Sequence, residues 1–454
     1  MTRSAPILCF LLAAGSACLD GPPLAAQAAG KGGAKLEFIA VLSRHGVRAP
    51  VATADQLNAY SVQPWPKWDV PAGDLTAQGA KLMRLLGIYD RQYLMQAGLL
   101  GANGCADAGR FYFWSDTTKR DVESGRELAA GMFPGCAVDI HTVAQGGADP
   151  LFAPISAGVA KPDRDLAVAA ISGRVGGHPQ ALGDAYRAGL EAMQRVLLGC
   201  KLGDECPPPG IQEKVKKLLF EEPAAVQPSQ YYAADLTGPL KTAESLAENF
   251  LLEYTNGMKD ADVGWGRVNK TNLGEMLLLQ EAYNDLALRT PYLARANSSN
   301  LLSHMLRSMQ QAVRGTAVQG ALGKPGDRAL VVLGHDSDLS HFGGMLGISW
   351  ALDGYQPNCR PPGGALVFEI WKEAATGKRT VRTYFTSQTL DQMRRLTPLS
   401  LEAPPIRAAV FIPGCSAASE GWPCDWDAFQ RVAGSAFDPA FVSRDARPAQ
   451  ASRQ

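Results

Sequence analysis

An excess of charge of either sign is missing from this 454-residue chain, where 44 Lys+Arg stand against 44 Asp+Glu. No global field favours nucleic acid or an anionic membrane, so an anion site must be built locally from a few arginines in one cleft. Metal-binding cysteine pairs are missing as well. Nine cysteines are present and none forms a CxxC, which argues against structural zinc. Histidines number six, and His141, His178, His304 and His341 show no metal-ligand spacing; they read as structural or exposed. Neither a metal nor a cofactor is expected. Long apolar runs are scarce: segment 7–17 is too short to span a bilayer, and no later segment reaches that length. Internal repeats and long low-complexity tracts are absent.

What stands at the N-terminus reads as an export signal over 1–28. Arg3 supplies the positive end, 7–17 the apolar core and Ala26-Gln27-Ala28 a small-x-small cleavage site. A lipoprotein reading at Cys18 fits less well, because Gly15 and Ser16 precede Ala17 where a leucine is expected; a buried N-terminal helix is the other alternative. Seven cysteines follow. Short separations suggest clips of Cys200 with Cys206 and Cys415 with Cys424, and Cys105 with Cys136 would close one strand–helix unit. The sequence alone does not settle connectivity, and Cys359 would remain as a free thiol. An oxidising compartment such as the periplasm suits this usage.

Apolar residues at 46% and charged residues at 19% are an ordinary globular balance. Nearly continuous apolar runs predict buried strands at 35–43, 110–115, 137–143 and 328–334, with a hairpin of 364–371 and 379–387 around Thr376-Gly377. Helical spacing marks 76–94, capped by Thr76, and a helix suits 117–132. Between them lie helical patterns at 185–198, 211–219, 240–256, 272–288 and 298–314, with few strand signals. The expected architecture is an α/β domain of a mixed sheet flanked by helices, made from 29–150 and 326–454. A mainly helical domain, 151–325, is inserted into it.

Three charged clusters each follow a predicted strand, where ligands of such sheets bind. The first is Arg44-His45-Gly46-Val47-Arg48-Ala49-Pro50. Arginine forks match phosphate oxygens, and a histidine among arginines stays neutral and nucleophilic. The second is Gly334-His335-Asp336, a hydrogen-bond donor to phosphate beside a proton donor for the leaving oxygen. The third is Asp116 to Arg120, where Arg120 offers a third guanidinium; the plain alternative is a helix start with Asp116 as N-cap.

RHGVRAP with a distant HD resembles the histidine acid phosphatase family, in its phytase and acid phosphatase branch. WPKW (65–68), LTAQG (75–79), DPLF (149–152), GWGR (264–267), RTP (289–291), PPGGALVFE (361–369), SQTLDQMR (387–394) and TPLSL (397–401) carry the likeness from about residue 35 to 434. The resemblance implies the phosphoglycerate-mutase-like, acid phosphatase fold and a phosphate monoester as substrate. It makes His45 the phosphate-accepting nucleophile and Asp336 the general acid. Arg44, Arg48, Arg120 and His335 clamp the phosphate, Asp116 and Arg289 line the substrate pocket, and no metal takes part. A monomer is expected.

Some positions depart from the phytase pattern. Val51-Ala52 replace Thr-Lys, Val122 replaces an arginine, Asp338 replaces an asparagine and Ala160 a cysteine. Cations for a highly phosphorylated inositol are thus fewer, and phytate is expected to be a poorer substrate here. A glucose-1-phosphatase type is the alternative. A phosphomutase is disfavoured by Val47-Arg48, and a non-catalytic phospholigand-binding protein by the retained histidine and acid.

Overall fold

The computed structural model describes residues 33–445 and 451–453, other than 103, 145, 202 and 203. The export signal read over 1–28 lies outside the described residues. The strands, in chain order, are β1 (Ala34–Arg44), β2 (Phe111–Ser115), β3 (Ile140–Val143), β4 (Ala225–Ser229), β5 (Ala233–Thr237), β6 (Ala329–Gly334), β7 (Ala365–Glu373), β8 (Arg379–Ser387), β9 (Ile406–Ala409), β10 (Cys424–Asp425) and β11 (Ala451–Arg453).

Nine of them form one mixed sheet in the order β10-β8-β7-β1-β6-β2-β3-β11, with β9 beside β8. β1, β6, β2 and β3 run parallel, and β7 lies antiparallel to β1. β6 is buried along its whole length, as its unbroken apolar run requires of a strand covered on both faces. Arg44 stands opposite Gly334 and Ser115 opposite Leu333, so three parallel strands end side by side.

Helices Ala77–Gln96 and Lys119–Met132 cover one face, sharing a core with Ile39, Phe113 and Val331. Helices Asp336–Leu346 and Trp426–Ala436 cover the other through Phe342 and Phe429. A separate helical core gathers Phe250, Leu277 and Tyr283 from helices Pro239–Thr255 and Lys270–Leu286.

Four local readings change. Helix Pro291–Arg314, expected among the helices of 151–325, packs Leu301, Met305 and Met309 into the sheet's core. The helix expected at 211–219 is two short 3₁₀ turns, Ile211–Glu213 and Leu219–Glu221. Lys216 and Lys217 donate their N–H groups to Ala59 O instead of continuing a helix. The β4–β5 hairpin was not anticipated, because its strands are half-polar and one contains Pro228. Helix Lys119–Met132 starts from Thr118, which leaves Asp116 outside the cap. Disulfides join Cys105 to Cys136, Cys200 to Cys206 and Cys415 to Cys424, and Cys359 is a buried free thiol.

Candidate active site

The backbone after β1 is pinned on both sides. His45 N donates to Gly334 O at 2.9 Å, and Gly363 N donates to His45 O at 2.9 Å. Gly46 N donates to Ser124 Oγ at 2.9 Å. Thr76 holds the next turn, donating to Val47 O through N at 2.9 Å and through Oγ1 at 3.2 Å. The loop is thereby rigid before any ligand arrives.

His45 is buried, and its Nδ1 lies 2.8 Å from Gly46 O. A carbonyl only accepts, so the proton sits on Nδ1 and Nε2 keeps its lone pair. Nε2 has no hydrogen-bond partner among the described residues. Burial, then Arg120, Arg44, Arg48 and His335, hold the ring well below the ordinary imidazole range. It is therefore neutral through the ordinary imidazole range.

Arg44 ion-pairs with Glu248, donates to Arg360 O at 2.5 Å and lies 3.3 Å from Asp336 Oδ2. Arg48 stands 3.5 Å from the same Glu248 oxygen. Gln280 steadies Glu248 from behind at 2.9 Å. Glu248 and Asp336 face Arg44 and Arg48, and with Arg120 close by a bound anion would still meet a dense group of cations. The Nε atoms of Arg44, Arg48 and Arg120 are buried with no hydrogen-bond partner among the described residues, and Arg120 Nε lies 3.7 Å from Asp121 Oδ2.

His335 closes the clamp. Its Nε2 lies 2.7 Å from Asp116 Oδ2, and its Nδ1 lies 3.7 Å from Asp121 and 3.2 Å from Arg120. Burial pulls this ring down, but the Asp121 charge and the Asp116 hydrogen bond outweigh it and push it up to about 9. That shift favours the protonated ring. Asp116, Asp121 and His335 come within metal-ligating range of one another. Within that group His335 Nε2 is already engaged by Asp116 Oδ2 at 2.7 Å.

Asp336 opens helix Asp336–Leu346. Burial alone would raise its carboxyl, but Arg44, Arg360, Arg48 and His335 hold it below the usual carboxylate range. Those same cations are the ones a phosphate would neutralise.

The structure brings together Arg44, His45, Arg48, Arg120, His335 and Asp336. Asp116, expected to line the pocket, spends its carboxylate on orienting His335. Arg289 stands behind the cluster, in electrostatic range of Arg360 and Glu281. It is buried, donates to Ile348 O at 2.6 Å and lies 3.7 Å from Asp285. Asp338, expected to repel a polyanion, is buried and accepts from His335 N at 2.8 Å. Burial pushes it up to about 7, so it adds little charge. Glu248, Arg360 and Glu281 escape a reading of the sequence; Arg360 and Glu281 pair at 2.6 Å behind the site. Arg360 stands just before PPGGALVFE, and that adjacency is the one signal that could have found it.

A mixed sheet whose parallel strand ends hold a neutral histidine inside an arginine clamp defines an enzyme class: a phosphatase working on a captured phosphoryl group. The chain belongs to the histidine phosphatase superfamily (branch 2), whose sequence model matches residues 35–169 and 216–386. It is 33% identical to phytase AppA of Escherichia coli (strain K12), over 89% of this chain and 93% of that protein. It is 27% identical to a glucose-1-phosphatase of Providencia rettgeri, over 89% of this chain and 92% of that one. The solved structure of Hafnia alvei phytase in complex with tartrate superposes with a TM-score of 0.82 at 33% identity, covering 90% of this chain and 99% of that chain. This chain is accordingly a hydrolase of the histidine acid phosphatase type.

Proposed function

We propose that the enzyme hydrolyses phosphate monoesters through a phosphohistidine on His45. The observation that carries this reading is His45 itself: Nδ1 is tied to Gly46 O, and Nε2 is left open among Arg44, Arg48, Arg120 and His335. Nε2 attacks phosphorus while the ester P–O bond breaks, and Asp336 gives its proton to the departing oxygen. Water then attacks the phosphohistidine, Asp336 takes up the water's proton, and phosphate and neutral His45 are released. The arginines and His335 stabilise the charge on the transferring group.

The substrate class is phytase-like, supported by the likeness to phytase AppA and to the Hafnia alvei enzyme. A glucose-1-phosphatase type is the second reading, favoured by Val51-Ala52, which stand where the phytase pattern has Thr-Lys. The enzyme acts after export, for which three disulfides and the signal-like sequence at 1–28 speak. No helix among the described residues is long and apolar enough to cross a membrane.

His45→Ala is expected to lower turnover at least about 10³-fold with an unchanged circular dichroism spectrum. A phosphorylated His45 is expected in wild-type enzyme quenched in base during turnover. Both the activity and the phosphohistidine should persist in a chelator. A folded His45→Ala enzyme with substantial activity, or one revived by a divalent ion, overturns the reading.

A further inference from the structure

The catalytic cluster lies at one end of a row along helix Pro239–Thr255. Lys241, Glu244 and Glu248 are spaced at i, i+3 and i+7, so they share one face over about 10 Å. Glu248 holds Arg44 and Arg48, and Glu244 is close enough to act on Arg44. Lys241 lies beyond them, with Nζ 3.1 Å from Glu244 Oε2 and 4.2 Å from the centre of the Tyr283 ring. Tyr283 donates to Asp235 Oδ1 at 2.5 Å. Tyr232, on the β4–β5 turn, lies in electrostatic range of both Asp336 and Lys241. This station therefore adjoins the side of the site where the leaving oxygen receives its proton.

Its charge is unlike that of the clamp. One lysine faces two carboxylates, Glu244 and Asp235. Glu244 Oε2 is taken by Lys241 and by Ser245 Oγ at 3.0 Å, while Oε1 has no hydrogen-bond partner among the described residues. Asp235 Oδ1 serves Tyr283 and Leu236 N, while Oδ2 is likewise open. Lys241 side chain is about a third exposed and Glu244 less so, so the group meets solvent without dissolving into it. Open carboxylate oxygens accept from hydroxyls and repel a second phosphate.

We propose that Lys241, Glu244 and Asp235 form the leaving-group subsite, and that it selects a neutral polyhydroxylated leaving group over one bearing further phosphates. This rests on the phosphatase reading and favours its second form, the glucose-1-phosphatase type, over the phytase-like one. The deciding quantity is the ratio of kcat/KM for phytate to that for glucose 1-phosphate, at matched pH and salt. The wild-type ratio is below one. Glu244→Gln removes a repelling charge and raises the ratio about fivefold, the scale of one partly exposed charge contact. Lys241→Met leaves two carboxylates unopposed and lowers it by a similar factor. If one variant fails to fold, judged by its melting curve, the other decides alone. A wild-type ratio above one, or ratios in folded variants that stay at the wild-type value or move the opposite way, overturns the subsite. A wild-type enzyme that releases phosphate from neither compound overturns the phosphatase reading instead.

Discussion

At His45 the two ring nitrogens have different fates, because Gly46 O claims Nδ1. Asp336 completes the chemistry and sets its pH dependence. Its carboxyl is held low by the arginines in the free enzyme, so it is anionic there. The proton it delivers therefore enters with the substrate, as the phosphate monoanion, whose second ionisation lies near pH ~6. kcat/KM should fall as pH rises past that point. It should not fall on the acid side through the ordinary imidazole range, because His45 stays neutral there. A profile that rises from pH ~5 to ~8 contradicts this assignment. Asp336→Asn removes the proton donor. It should slow alkyl phosphates by roughly 10²–10⁴-fold, and aryl phosphates, whose leaving oxygen needs less help, far less. Equal slowing of both classes would show that Asp336 serves only the clamp.

On the scale of elements, the loop after β1 is shaped by the helix that rides over it. Helix Ala77–Gln96 comes so close that a Cβ on Gly79 would sit 2.1 Å from Val47 O. Thr76 caps that helix by accepting from Gly79 N at 2.9 Å, and it also bonds Val47 O. The LTAQG string is thus a docking device for the catalytic loop. Gly79→Ala must push the helix and loop apart at a cost of about 1–3 kcal/mol. It should lower both the melting temperature and kcat/KM. Gly173→Ala is the control: no heavy atom lies within 4 Å of its added Cβ, and its helix gains propensity. If the two substitutions behave alike, the contact at Val47 is not what positions the loop.

On the scale of the whole molecule, among the described residues, carboxyls raised by burial outnumber histidines lowered by it. Burial raises Asp90, Asp149, Glu281 and Asp338 to about 7, Glu253 to about 8 and Asp121 to about 6. A carboxyl raised in the folded state binds its proton there first, so stability rises as pH falls through these values. His335, raised to about 9, contributes stability that is present below its unfolded value and lost as pH climbs through 9. His304, lowered to about 4, and His341, lowered to about 3, oppose this below pH ~6.5, as does His45. From pH ~8 to ~6.5 only the gains act, and below that six carboxyls outweigh three rings. The melting temperature should therefore be several degrees higher at pH ~5.5 than at pH ~8. A flat or inverted dependence in calorimetry would show that these carboxyls are solvated.

The sequence by itself determined the strand ends and most of the clamp. Buried strands announce themselves as local apolar runs, and Arg44-His45-Gly46-Val47-Arg48 and His335-Asp336 are contiguous strings. The three cysteine pairs, 31, 6 and 9 residues apart, match the clips that the spacings suggested, although the sequence left their connectivity open. The tertiary structure decided what those groups lean on. Glu248 is 204 residues from Arg44, and Arg360 is 316 away. It also decided that Asp116 orients His335 and that Arg289 turns to Ile348 O. Contacts across such separations leave no periodicity and no spacing in the chain. They exist only because the sheet aligns distant strand ends and the helical core carries Glu248 across to meet them.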